Sequence, residues 1–146
     1  MIIYKYASLK ISSIIIAVIL LFGSCKANQQ KTSLCQPIIK DTELYNKISD
    51  PFDIKKVWIE QNCLKVNISY SGGCGDATFK LVWNGSMMKS LPPQIPMKII
   101  MEDKDDCRSI IQKTLCFSLN EIYENSYIIL LDGYNGSILV NKDNNP

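Results

Sequence analysis

From Ile54 onward the chain alternates apolar and polar positions with a period of two, the pattern of strands that turn one face to a core. Residues 54–60 form the first such run, and Gln61-Asn62 closes it with a turn. In the next run Leu64, Val66, Ile68 and Tyr70 alternate with Lys65, Asn67 and Ser69. Phe79, Leu81 and Trp83 alternate with Thr78, Lys80 and Val82, up to a turn at Asn84-Gly85. Leu91-Pro92-Pro93 excludes a central strand there, because proline cannot donate to a ladder. Residues 96–101 and 108–119 predict two more strands, the second bent by a bulge near Gln112. Residues 127–131 and 137–140, joined by a glycine-containing turn at 132–136, predict a closing hairpin. Before this region, residues 35–39 predict a short first strand. Residues 41–48 predict a brief helical turn capped by Asp41 and broken at 49–53. The connection 120–125 predicts a helical turn crossing between sheets.

Seven strand-like segments at regular spacing, with almost no helix, predict an all-β fold. An immunoglobulin-like or similar Greek-key β-sandwich of about seven strands fits best, with a small barrel as its rival. The predicted inward set is Val57, Ile59, Leu64, Val66, Ile68, Phe79, Leu81, Trp83, Ile99, Leu115, Phe117, Ile128 and Leu130. Trp83, on a middle strand, reads as a core anchor.

The N-terminal pattern is different. Lys5 and Lys10 precede an uninterrupted apolar run over residues 14–22, the layout of a signal peptide. Counted from Ile11 the run is too short for a membrane-spanning helix, which needs roughly 20 apolar residues. It ends in Leu20-Leu21-Phe22-Gly23-Ser24-Cys25, which resembles the lipobox of bacterial lipoproteins. That resemblance implies cleavage before Cys25 and a thioether-linked lipid on its sulfur. The family usually carries leucine where this chain has Phe22. Residues 1–24 are then a leader, 25–34 a lipidated cysteine with a polar tether, 35–141 the sandwich domain, and 142–146 a disordered tail. Bacterial lipoproteins carry two or three acyl chains, enough for stable attachment where one chain gives only marginal binding. Acidic residues after the lipid-bearing cysteine direct sorting in related lipoproteins. None occurs here before Asp41, which points to a periplasm-facing leaflet of the outer membrane.

Removing the leader changes the charge. The 146 residues carry 16 Lys+Arg and 14 Asp+Glu. Lys5 and Lys10 lie in the leader, so the remainder balances at 14 against 14. No basic patch survives of the kind nucleic acid requires, and no nucleic-acid partner is expected. Histidine is absent. Without the commonest general base and the central member of serine and cysteine triads, a non-enzymatic role is expected.

Six cysteines are present. With Cys25 assigned to lipid, Cys35, Cys63, Cys74, Cys107 and Cys116 allow two disulfides and one thiol in a secreted chain. Cys63 and Cys116 fall out of phase with the apolar residues of their strands and point away from the core. Cys74 and Cys107 sit in loops, and Cys74–Cys107 is the preferred bridge; Cys63–Cys116 is possible if their strands are neighbours. No C-x-x-C pair suggests zinc.

Two other segments could carry chemistry. Ser71-Gly72-Gly73-Cys74-Gly75 is glycine-rich, but lacks the lysine and helix of a phosphate-cradling loop. Acidic residues in 102–106 could bind calcium through Asp103, Asp105 and Asp106. Their spacing fits no standard calcium loop, so a solvated turn is the expectation, with no metal or other cofactor.

The Tyr70-Ser71-Gly72-Gly73-Cys74 stretch, with Phe79-Lys80-Leu81-Val82-Trp83-Asn84-Gly85 and the later Asp106-Cys107, resembles small uncharacterised envelope lipoproteins of Bacteroidota-type bacteria. The resemblance spans residues 54–140. It implies an envelope lipoprotein and supports Cys74 and Cys107 as partners, and it implies no activity. The expected role is binding, inhibition or structure: a membrane contact through the lipid on Cys25, and another envelope protein as partner. Loop 71–78 and segment 87–93 are the candidate contact regions, the latter for its methionines and prolines. The alternatives are a carbohydrate- or calcium-binding accessory module, stacking sugar on Trp58, Tyr70 or Tyr134, and a carboxylate-based hydrolase.

Overall fold

A computed structural model of the chain describes residues 35–75, 77–104 and 106–142. The leader, Cys25, the tether, Asp105 and residues 143–146 lie outside the described residues. Eight strands and one helical turn follow in order: β1 (Ile39–Lys40), α1 (Thr42–Tyr45), β2 (Phe52–Glu60), β3 (Cys63–Gly72), β4 (Thr78–Trp83), β5 (Gln94–Glu102), β6 (Ser109–Ser118), β7 (Ser126–Leu131) and β8 (Ser137–Asn141). They make two sheets, β1-β4-β5-β7-β8 and β2-β3-β6. Inward side chains of both sheets share one core, so the fold is the predicted all-β sandwich. Two pairings, β1 with β4 and β5 with β7, are parallel. A parallel neighbour needs a crossover, and β6 supplies it by lying in the opposite sheet between β5 and β7.

The period-two reading places most of the core correctly. Leu64, Val66, Ile68, Phe79, Leu81, Ile99, Leu115 and Phe117 are buried, with Val57, Ile59 and Trp83 half-buried beside them. β7 is a correction. Tyr127, Ile129 and Leu131 point into the core, and Ile128 and Leu130 lie half-buried on the other face. Its apolar run has no polar partner phase from which an inward face could be chosen.

Other boundaries differ for local reasons. Pro37 breaks the predicted first strand: Gln36 bridges to Phe117 at the free edge of β6, and the chain crosses to the other sheet before Ile39 pairs with Val82. The helical turn stops at Tyr45, capped by Asp41 Oδ1 accepting from Leu44 N–H at 2.9 Å. Beyond it Asp50 N–H donates to Met101 O at 3.1 Å and Ser49 Oγ accepts from Met101 N–H at 2.9 Å, so this stretch straps the outside of β5 instead of continuing as helix. The predicted bulge near Gln112 is absent, since β6 pairs with β3 in unbroken register; the irregularity sits in β2 between Ile54 and Lys56. Connection 120–125 is a turn without helix. Asn141 ends β8, and Lys142, the one described residue of the expected tail, donates its N–H to Asn125 O at 2.9 Å.

Pro96 sits inside β5 without disrupting it. Pro93 O and Met97 O accept from Ile128 and Asp132 on the β7 side, so by alternation Pro96 faces the other side. There the β4 ladder has already ended at the Trp83–Met97 pair. The missing donor is therefore not needed.

Tyr127 is fully buried and, among the described residues, its hydroxyl has no hydrogen-bond partner. Burial pushes its phenol above the ordinary value of 10.0. The native state thus holds the neutral form, and its advantage is present below the unfolded-state value and lost as pH rises past it. Tyr127→Phe removes an unpaired buried hydroxyl, whose burial costs about 1–3 kcal/mol. Urea melts should show the variant at least as stable as the parent near neutrality. Its advantage should widen above pH 10; a clear loss of stability at neutral pH would contradict the unpaired placement.

Candidate functional site

At the end of the sandwich where β4 stops, two connections meet. One is the β4–β5 loop; the other is the β6–β7 crossover carrying Tyr123. Of the seven exposed large hydrophobic residues described, Met87, Met88 and Leu91 belong to the first and Tyr123 to the second. Leu91 is 100% exposed and Tyr123 93%, values that place both side chains outside any packing within the domain. Isolated apolar residues on a surface need no explanation, but a cluster does.

Local contacts shape the first loop. Ser90 Oγ donates to Pro92 O at 2.7 Å, and the Met88–Gln94 bridge closes the loop base. Across from it, Leu119 and Ile122 are buried and pin the ends of a turn. Tyr123, next to buried Ile122, projects outward.

Between the loops lies a cavity of about 300 Å³, walled by Ile38, Trp83, Met87, Ile122 and Tyr123, with Lys40, Glu121 and Glu124 at its rim. A more open hollow of about 460 Å³ adjoins it, formed by Leu91, Pro92, Pro93, Tyr123, Glu124, Asn125 and Ser126. Tyr123 and Glu124 belong to both. Trp83 anchors the wall: its Nε1 donates to Ser86 O at 2.8 Å, and Lys40 Nζ lies 5.4 Å from its ring centroid. The predicted core tryptophan thus packs on the core with one part and faces the cavity with another. Among the described residues, Glu121 and Glu124 make no ion pair, leaving the rim acidic beside the single cation Lys40.

The sequence singled out segment 87–93 but not its counterpart. Tyr123, Glu121 and Glu124 come from the connection in which the sequence pattern shows only a crossover. Ile38 and Lys40 join the site because the N-terminal segment crosses from one sheet edge to the other. Loop 71–78 lies at the opposite end of β4, away from this surface.

The other candidates disperse. Glu102 is engaged by Lys47 Nζ at 2.5 Å, and that hydrogen bond, with the charges of Lys47, Lys80 and Lys104, holds its carboxyl below the usual range. Asp103 N–H donates to Asp50 Oδ2 at 2.7 Å and Asp106 is exposed. With Asp105 outside the described residues, the calcium set Asp103, Asp105 and Asp106 is not seen together. Tyr70 stacks edge-on against Phe79 at 5.3 Å, Tyr134 packs against the core, and Trp58 lies on the outer face of β2 under Lys56. The three aromatics form no shared platform. Cys74 and Cys107 are disulfide-bonded, with Cα atoms 5.6 Å apart. Cys63 and Cys116 sit on adjacent strands, but diagonally: Cys63 faces Ser118 and Cys116 faces Lys65. Both lie within disulfide reach of Cys35, a residue that the spacing did not single out.

Among the described residues no helix is long and apolar enough to cross a membrane. No protein-family model matches the chain, and no curated protein is significantly similar to it. Two solved structures share the fold. A protein of Parabacteroides distasonis, provisionally described as toxin-related, superposes with a TM-score of 0.55 at 15% identity over 75% of this chain. A protein of unknown function from Bacteroides vulgatus gives 0.50 at 13% identity over 73%. The chain spans 62% and 56% of their lengths.

Proposed function

We propose that this protein is a lipid-anchored envelope lipoprotein whose β-sandwich has no catalytic role and binds another envelope protein at the Leu91–Tyr123 surface. The single observation that supports the binding part is the pair of fully projecting apolar side chains, Leu91 and Tyr123, flanking a cavity with an acidic rim. The occupant that fits is a protein segment with an apolar side chain for the cavity and Lys or Arg beside it for Glu121 and Glu124. Apolar anchors in pockets with a charged rim are how such interfaces gain affinity and register. The anchor rests on the lipobox-like residues before Cys25, and the envelope location follows from it.

The test uses the full chain in its native membrane, with a photoreactive residue at position 91 and a control at exposed position 139. Cross-linking to one defined envelope protein from 91 and not from 139 supports the reading. So does loss of that product when Tyr123→Ser and Glu124→Lys are added. The same product from both positions, or one unchanged by the added substitutions, overturns the assigned surface. Fatty-acid labelling that persists in Cys25→Ser overturns the anchor separately.

A further inference from the structure

Cys35, Cys63 and Cys116 bring their sulfurs within 4.8 Å of one another on the outer face of the three-stranded sheet, and all three are half-buried. Their placement follows from the fold. Cys63 opens β3, Cys116 lies near the end of β6, and both point away from the core by the alternation of their strands. Gln36 ties Cys35 alongside: its N–H donates to Cys116 O at 2.8 Å and its carbonyl accepts from Ser118 N–H at 2.7 Å. Cα separations are 4.7 Å for Cys35–Cys116 and 6.6 Å for Cys35–Cys63, both within disulfide range. Either neighbour is therefore within bonding reach of Cys35, and one sulfur holds one disulfide at a time.

We propose that these three cysteines form a thiol–disulfide exchange centre, in which Cys35 alternates between Cys63 and Cys116 and leaves the other as an accessible thiol. The step balances internally. The Cys63 thiolate attacks Sγ of Cys35, the Cys35–Cys63 bond forms, and the Cys35–Cys116 bond breaks. The electron pair leaves on Cys116 sulfur, which takes up the proton given up by Cys63. No oxidant or reductant is consumed, and such exchange needs only a thiolate within reach of a disulfide. The displaced thiol is a modification site for a disulfide-bearing molecule: its thiolate attacks one sulfur of that disulfide, the mixed disulfide forms, and the other sulfur leaves as a thiol carrying the proton.

A metal bound by three thiolates is the competing use of the same atoms. Structural zinc takes four ligands, and no fourth Cys, His, Asp or Glu joins the group among the described residues. Lys65, directly opposite Cys116, also places a cation beside any bound cation. Exchange is favoured on both counts.

Peptide mapping by mass spectrometry on the purified full chain, quenched in acid with a maleimide, tests this independently of the anchor and of the partner. The expected result is Cys74–Cys107 in every molecule and Cys35 linked to Cys63 in some and to Cys116 in others. Among Cys35, Cys63 and Cys116, each molecule should carry one label, on whichever of the last two is free. Prolonged incubation with a bulky maleimide that reacts faster at one of the sulfurs should then drain the whole population into a single labelled form. A single fixed linkage overturns the proposal, as does a two-linkage ratio that stays frozen under that incubation. Three unlinked thiols with bound metal in native mass spectra, or Cys25 linked into the group, also overturn it. Cys63→Ser and Cys116→Ser keep the test open if labelling is ambiguous, because each should retain a Cys35 disulfide to the remaining partner.

Discussion

Ile129→Lys should leave no folded protein, whereas Ile128→Lys, one residue away, should fold with a loss of about 1–2 kcal/mol. Ile129 is fully buried in the middle of β7, between β5 and β8, with its side chain in the shared core. An ammonium placed there has no described acidic side chain buried nearby to pair with, since the buried set contains no charged residue. Removing one partner from a buried ion pair already costs about 3–5 kcal/mol. Lost packing of the isoleucine adds about 2–5 kcal/mol. Together these approach the whole stability of a domain of this size, about 5–15 kcal/mol. Ile128 is half-buried on the opposite face, where a lysine can lay its stem along the sheet and keep its charge in water. Circular dichroism and urea melts of both variants decide the matter. A folded Ile129→Lys with an unfolded Ile128→Lys would reverse the inward face of β7.

That pair of residues also marks the boundary of what the sequence makes legible. Where polar residues fill every second position, as in β3 with Lys65, Asn67 and Ser69, the inward face follows directly, and Leu64, Val66 and Ile68 are fully buried as predicted. β7 has no such markers, because five apolar residues follow one another from Tyr127. In β4 and β5 a second apolar phase exists for a different reason. Val82 and Ile100 are buried outside the main core, on the side of the five-stranded sheet where Lys98, paired with Val82, donates from Nζ to Lys47 O at 2.9 Å in the segment before β2. Periodicity sees one face at a time and cannot register a strap laid across the other.

The candidate surface was half legible for a similar reason. The methionines and prolines of the β4–β5 loop are conspicuous in the chain, but Tyr123 reaches them only because β6 and β7 lie in different sheets. The cysteine cluster needs the same long-range information. Strand phase showed that Cys63 and Cys116 point outward, and β3–β6 pairing makes them neighbours. Cys35 enters through two backbone hydrogen bonds from Gln36, which no local pattern announces.

Replacing both partners of the other bridge, Cys74→Ser with Cys107→Ser, should lower stability by about 3–4 kcal/mol while leaving the fold intact. The two residues are 33 apart in sequence, and closing that loop restricts the unfolded chain far more than the native one. In the native state their surroundings are already held. β3 and β6 pair without interruption up to Gly72 and Ser109, two residues from each sulfur-bearing position. The loop also turns at Gly73 with φ of 119°, where an added Cβ would approach Ile111 to 3.3 Å. Little native contact is therefore lost with the bridge, and the cost lies in the freed unfolded ensemble. That mechanism has its own signature: the unlinked chain exposes more surface on unfolding, so the denaturant slope should rise as the midpoint falls. Replacing both cysteines, not one, prevents a stranded thiol from entering the Cys35 group. An unchanged midpoint would show that the bridge does not form in solution. A lowered midpoint with an unchanged slope would move its contribution into native packing around Gly73 and Ile111.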